Sequence, residues 1–278
     1  MVLYVFFLLF ALAGCQKQAD RVLPISSGEV FRTIGPTSPP DYLGQELIDN
    51  SGPMHNFVVD NLYQNVPTGL TKDQFAHYLS ENSNKLLVTN YGFTPLPQRF
   101  LADNENEIIQ LLDNNYFLLQ KKQMDSIINL VINGVVRKPG LNRNEASLLL
   151  RANSIFDLDS RLSETEAFDL IIARANAMLK EYYSFRWGYG EGNAVGGFLN
   201  IAKSSAEYWK SKYLSAPAVF NGRIPWYKAW GIPQFDAAGY LYGWGKAWAW
   251  DELNTPGKRI KAGLTKAADW SGIAGWFK

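Results

Sequence analysis

The chain has 278 residues, 47% hydrophobic and 19% charged, with a formal net charge of +1 and one cysteine. That balance excludes a disordered chain, the modest and unclustered positive charge argues against a nucleic-acid partner, and the lone cysteine excludes a disulfide framework. The charge is nevertheless divided: residues 181–278 carry 12 Lys and Arg against 7 Asp and Glu, residues 1–180 carry 15 against 19, and all nine Trp lie between Trp187 and Trp276.

The chain opens MVLYVFFLLFALAGCQKQ. The apolar run Val2 to Leu12 is shorter than the ~20 residues a spanning helix needs, and it has the length of a signal-peptide core. Leu12-Ala13-Gly14-Cys15 follows it and resembles a bacterial lipobox. The resemblance implies a signal peptide over residues 1–14, cut before Cys15, with lipid (diacylglycerol and a palmitate-type chain) on that cysteine. One feature departs from the pattern: no Lys or Arg precedes the apolar run. Gln16 stands where an Asp would retain a lipoprotein at the inner membrane, so the expected location is the outer membrane, leaflet open. Residues 15–40 then read as anchor and tether, because Pro24, Ser26, Ser27, Gly28, Pro36, Ser38, Pro39 and Pro40 crowd into it.

From 41 to 278 the pattern predicts an all-α, irregular multi-helix domain. "SGPMHNFVVDNLY" has Pro53 near a helix start and Met54, Phe57, Val58 and Leu62 on one face. His55, Asn56 and Asp60 then fall on the opposite, solvated face. Thr71 and Gln74 have capping-box spacing ahead of a helix carrying Phe75, Tyr78, Leu79 and Leu86. Gly92, Pro95 and Pro97 end it. Helices follow over "NENEIIQLLDNNY" and over "LLQKKQMDSIINLVINGV", the latter with Met124, Ile127, Ile128, Val131 and Val135 inward. Asn142 with Glu145, and Ser163 with Glu166, mark two more helix starts. Phe168, Ile171, Ile172, Ala175, Met178, Leu179 and Tyr182 supply the stripe of the second.

Near residue 185 the texture changes. "WGYGEGNAVGG" reads as a glycine-rich break, and a subdomain boundary could fall there. It lacks the G-x-G-x-x-G spacing of a dinucleotide loop, because Asn193 stands at the third glycine position. A helix over residues 198–213, a loop, and a helix starting with Asp236 as N-cap are expected next. The last of these, "DAAGYLYGWGKAWAWDEL", mixes rings with glycines one turn apart at 239 and 243. Three readings stay open for it: a buried helix whose glycines receive neighbouring rings, an aromatic and basic surface lying on the membrane, or a stacking surface for an envelope glycan or protein partner built from Trp226, Trp230, Trp244 and Trp248.

Motifs for chemistry are sparse. H-E-x-x-H and G-x-S-x-G are absent, and one cysteine cannot build a Cys/His zinc cluster. No catalytic residue, metal ligand or cofactor is assigned, which favours a binding or structural protein over an enzyme. The alternative is an envelope hydrolase or glycan-binding protein with an aromatic C-terminal cleft, His55 and Asp60 being the polar pair to watch. Beyond the lipobox, "MHNFVVDNL" with the late "FDAAGYLYGWGKA" resembles uncharacterised secreted helical proteins of Bacteroidota. That resemblance implies a source and no activity.

Overall fold

The computed structural model describes residues 40–113, 121–138, 141–159, 161–215 and 231–273. The signal sequence, Cys15, nearly all of the tether, Trp226 and Trp230 lie outside them. Ten α-helices and no strand occur among the described residues: α1 Pro40–Asp49, α2 Ser51–Asn65, α3 Lys72–Tyr91, α4 Gln98–Asp113, α5 Lys121–Val136, α6 Arg143–Ala152, α7 Glu164–Tyr182, α8 Asn193–Ser215, α9 Gly231–Ala247 and α10 Pro256–Ile273. None is long and apolar enough to cross a membrane. The all-α reading therefore holds.

Local signals set several helix ends as expected. Thr71 and Ser163 each accept from the backbone N–H three residues on, and Gln74 and Glu166 return the bond. Gly92 closes α3 with φ 65°, the left-handed conformation that suits glycine at this position. Other ends move. α4 begins at Gln98, ahead of the expected 104, just after Pro97. α8 begins at Asn193 and takes in Gly196 and Gly197, so the last residues of the "break" are helical. α9 begins at Gly231, with Pro233 in its first turn, and Asp236 is an interior residue with 0% exposure instead of an N-cap.

The centre of the fold is the antiparallel pair α9 and α10. Ile232 to Leu241 are buried without interruption, and so are Ile260 to Ile273. α2, α3, α4 and α1 pack on α10, and α8 and α5 pack on α9. α8 in turn carries α7, α2, α1 and α6. The main apolar core draws on residues from Leu47 to Ile273, on both sides of residue 185.

Glycine lets these helices approach. A Cβ at Gly243 would lie 2.3 Å from the Ala262 carbonyl oxygen, and one at Gly197 would lie 2.1 Å from Cζ of Tyr240. Tyr240 reaches across α8 at that point and donates its hydroxyl to the Asn193 carbonyl at 2.9 Å. Of the rings in "DAAGYLYGWGKAWAW", Tyr240 thus lies against Gly197 and Gly263 of the neighbouring helices, while Tyr242 stacks on Trp270 and Trp244 meets Trp248. Trp209, Trp244 and Trp270 are core residues, at 2%, 1% and 6% exposure.

Helix α2 also departs from expectation. Its buried residues are Ser51, Gly52, Met54, His55, Val58, Val59 and Leu62. His55 is inside, while Phe57 is exposed beside Tyr91. A stripe through Met54, Phe57, Val58 and Leu62 leaves His55 on the solvated face; the buried face runs instead through Ser51, His55 and Val59, and the imidazole meets a polar partner inside the fold.

Candidate functional site

That partner is Asp236. His55 Nε2 lies 3.6 Å from Asp236 Oδ2, and both side chains are wholly buried. Ser205 Oγ donates to the same Oδ2 at 2.5 Å and Ser271 Oγ at 3.1 Å. Four elements, α2, α8, α9 and α10, therefore meet at one carboxyl group. Asn56 donates its amide to the Ser204 carbonyl at 2.8 Å, which turns its Oδ1 toward His55 Nδ1 at 3.0 Å. The Asn56 oxygen is an acceptor and favours the proton on Nδ1, while Nε2 faces Asp236 at a distance longer than a hydrogen bond. Burial pushes the imidazole down to about 4 and the Asp236 carboxyl up to about 8. Both shifts favour the uncharged form of each group at neutral pH.

These residue types match a hydrolytic triad, but the connectivity does not. A triad needs the serine hydroxyl on the imidazole and the carboxylate on the other ring nitrogen. Here both serines bond the carboxyl group, and His55, Asp236, Ser205 and Ser271 are each at 0% exposure. Asp60, the other polar partner considered for His55, instead accepts from Tyr208 and Lys212 at 2.9 and 2.8 Å. The arrangement works as a polar contact that fixes how four helices meet.

Three further buried networks tie α10 to its neighbours. Glu107 of α4 receives Lys266 on one oxygen, and Lys246 and Tyr242 on the other, both at 2.8 Å. Burial alone would raise the Glu107 carboxyl; the two lysines outweigh it and hold the group below its ordinary value. Asp269 accepts from Ser83 at 2.5 Å and from Asn104, and burial still raises it to about 6. Lys261 donates to Asn84 Oδ1 at 2.6 Å and to the Thr94 carbonyl at 2.7 Å, with burial lowering it to about 7. Lys261 and Lys266 are therefore used inside the fold and withdrawn from any basic surface.

The glycine-rich stretch before α8 forms an anion cradle that the protein fills itself. Glu145 of α6 accepts from the backbone N–H of Gly192 at 3.0 Å, Ala194 at 2.7 Å and Val195 at 3.3 Å. The first helix-turn amides of α8, with their partial positive charge, thus hold a carboxylate where a nucleotide loop would hold phosphate. Burial is the larger influence and raises Glu145 to about 7 despite the three amides. Glu145 had the spacing of a capping partner for Asn142. Asn142 instead accepts from Asn144 N, and Glu145 caps a different helix.

The aromatic candidates separate. Trp244 is buried and has no face to offer a ligand. Trp248 is half-buried, and the Arg259 guanidinium covers its ring at 3.6 Å. Trp226, Trp230 and the lipidation candidate Cys15 lie outside the described residues. A group that the sequence did not single out lies on the outer side of α3 and α4. His77, Glu81 and Glu105 place one ligand atom each within 4.8 Å of one another. The i, i+4 spacing of His77 and Glu81 was visible; Glu105 comes from another helix, and only the packing supplies it. No family model, curated protein or solved structure matches the chain significantly.

Proposed function

We propose that this protein is a lipid-anchored, extracytoplasmic component of the bacterial envelope, held at the outer membrane through Cys15, whose helical body serves binding or scaffolding and not catalysis. The observation that carries the reading is Leu12-Ala13-Gly14-Cys15, directly after an apolar segment of signal-peptide length and before a Pro- and Ser-rich tether. A lone cysteine at that place suits an acyl anchor, and two or three acyl chains hold a protein stably on a bilayer. The character of the body supports the non-catalytic part: its histidine–aspartate pair is sealed and its glycine-rich cradle is filled by Glu145. Its partner is an envelope glycan or protein, with Trp226 and Trp230 as the aromatic residues to test.

Replacement of Cys15 by Ser tests the anchor. The wild-type chain is expected in the membrane fraction, labelled by a palmitate analogue. The variant is expected to lose the label and to keep an uncleaved signal. Equal labelling of the two proteins, or no labelling of the wild type, overturns the proposal.

A further inference from the structure

α3 and α4 pack side by side, and their mutual position is fixed from within. Ser80 Oγ donates to the Leu101 carbonyl at 3.2 Å, and Asn104 Nδ2 donates to Ser80 Oγ at 3.1 Å and to Asp269. These buried bonds lie between His77 and Glu81 on one helix and beside Glu105 on the other. The three outward side chains are therefore carried on a rigid backbone.

His77 Nδ1 lies 3.0 Å from Glu105 Oε1, and ligand atoms of all three residues fall within 4.8 Å of one another. Gln98 Nε2 donates to Glu81 Oε1 at 2.9 Å, which orients that carboxylate from outside the group. A His–Glu surface pair would account for one carboxylate and not for two. Among the described residues no lysine or arginine pairs with Glu81 or Glu105, so two like charges converge on one imidazole without a compensating cation.

We propose that His77, Glu81 and Glu105 form a binding site for one divalent cation of the zinc class. A neutral imidazole with two carboxylates gives a donor set of one nitrogen and oxygens, with a charge of −2 that such an ion neutralises. Imidazole selects zinc and its neighbours over magnesium and calcium, which prefer oxygen alone. Zinc bonds of about 2.0–2.2 Å place tetrahedral ligands roughly 3.4 Å apart. The present separations, from 3.0 Å for His77–Glu105 up to 4.8 Å within the group, bracket that value, and the His77 side chain, 61% exposed, has room to turn toward it. Three protein ligands leave a fourth position facing solvent, available to water or to a donor from a partner. Gln98 acts as a positioning residue through its bond to Glu81.

The test is calorimetric titration of the full-length, metal-free protein in detergent with zinc chloride, and separately with magnesium chloride. The wild type should bind one zinc ion saturably and give no magnesium isotherm. His77→Ala and Glu105→Gln should each weaken zinc binding by at least ~10-fold, with Gln98→Ala weakening it less. Both ligand variants are surface changes and should unfold at the wild-type temperature without metal, while zinc should raise the melting temperature of the wild type only. X-ray absorption at the zinc edge should show nitrogen and oxygen ligands and no sulfur, which separates this site from Cys15. Absence of saturable zinc binding overturns the proposal. So does binding that survives both substitutions, or a sulfur ligand.

Discussion

Gly243→Ala sets helix propensity against packing at a single position. In a helix interior alanine is preferred to glycine by roughly 1 kcal/mol, so on intrinsic grounds the change stabilises α9. Packing opposes it. The new Cβ would stand 2.3 Å from the Ala262 carbonyl oxygen and 2.8 Å from Cβ of Lys266. Carbon beside a carbonyl oxygen needs roughly 3.3 Å, so α9 and α10 must part by about 1 Å against backbone that cannot rotate away. Overpacking costs ~1–3 kcal/mol, and the upper part of that range applies where backbone has to move, leaving a net loss of about 2 kcal/mol after the propensity gain. Gly44→Ala is the control: in α1 the nearest atom to its Cβ would be Asn193 Oδ1, 3.9 Å away. That change should stabilise by ~0.5–1 kcal/mol. Urea unfolding followed by circular dichroism, with unchanged slopes, reads both. Equal or higher stability of Gly243→Ala would mean that glycine does not set the spacing of the central pair.

Two other changes probe the buried polar groups. Glu145→Ala strips an acceptor from three backbone N–H groups and should cost at least ~2 kcal/mol, whereas Glu145→Gln keeps one acceptor oxygen and should cost less; equal losses in urea midpoint for the two variants would count against the cradle. The Asp236 carboxyl is raised from 3.8 to about 8, so the folded state keeps a proton that the unfolded state releases. Its contribution is complete below the unfolded value and is lost as pH rises through about 8, so the wild type should lose stability relative to Asp236→Asn between about pH 4 and pH 8. His55, pushed down to about 4, acts in the opposite direction below about pH 6.5 and is common to both proteins. A stability difference between the two that stays constant with pH refutes the assignment.

What could be read from the sequence was local. The pairs Thr71–Gln74 and Ser163–Glu166 satisfy amides a turn away, so residue spacing alone places those helix starts. The stripes of α6 and α7 have one buried face, which periodicity detects. α9 and α10 are buried all round, and burial on every side leaves no stripe. α10 even reads as a surface helix, since Lys258, Arg259, Lys261, Lys266 and Asp269 punctuate it. Each buried charge there is matched by a residue far back in the chain: Asn84 for Lys261, Glu107 for Lys266, Ser83 and Asn104 for Asp269. His55 and Asp236 fail for the same reason, being 181 positions apart. Glu105 joins His77 and Glu81 only once α3 and α4 pack, so no linear motif announces the cation site.

The position of the central pair has a consequence for how the chain folds. α9 and α10 follow every other described helix in the chain, yet α1, α2, α3, α4, α5 and α8 all pack against them. Before residues 231–273 are available, Leu62 and Leu79 have no Gly272 of α10 to lie against, and the Tyr240 contact with α8 is missing. The polar groups fare worse: Ser83, Asn104 and Ser205 would face the interior with their carboxylate partners absent. Leaving such groups unpaired costs ~1–3 kcal/mol each, a large part of a domain's net stability. A chain ending at residue 230 should therefore lack a cooperative unfolding transition, and a separate peptide of residues 231–278 should restore one on mixing. A sharp, native-like transition in the 1–230 fragment alone would show instead that the outer helices form a core of their own, with the central pair added to a fold already complete.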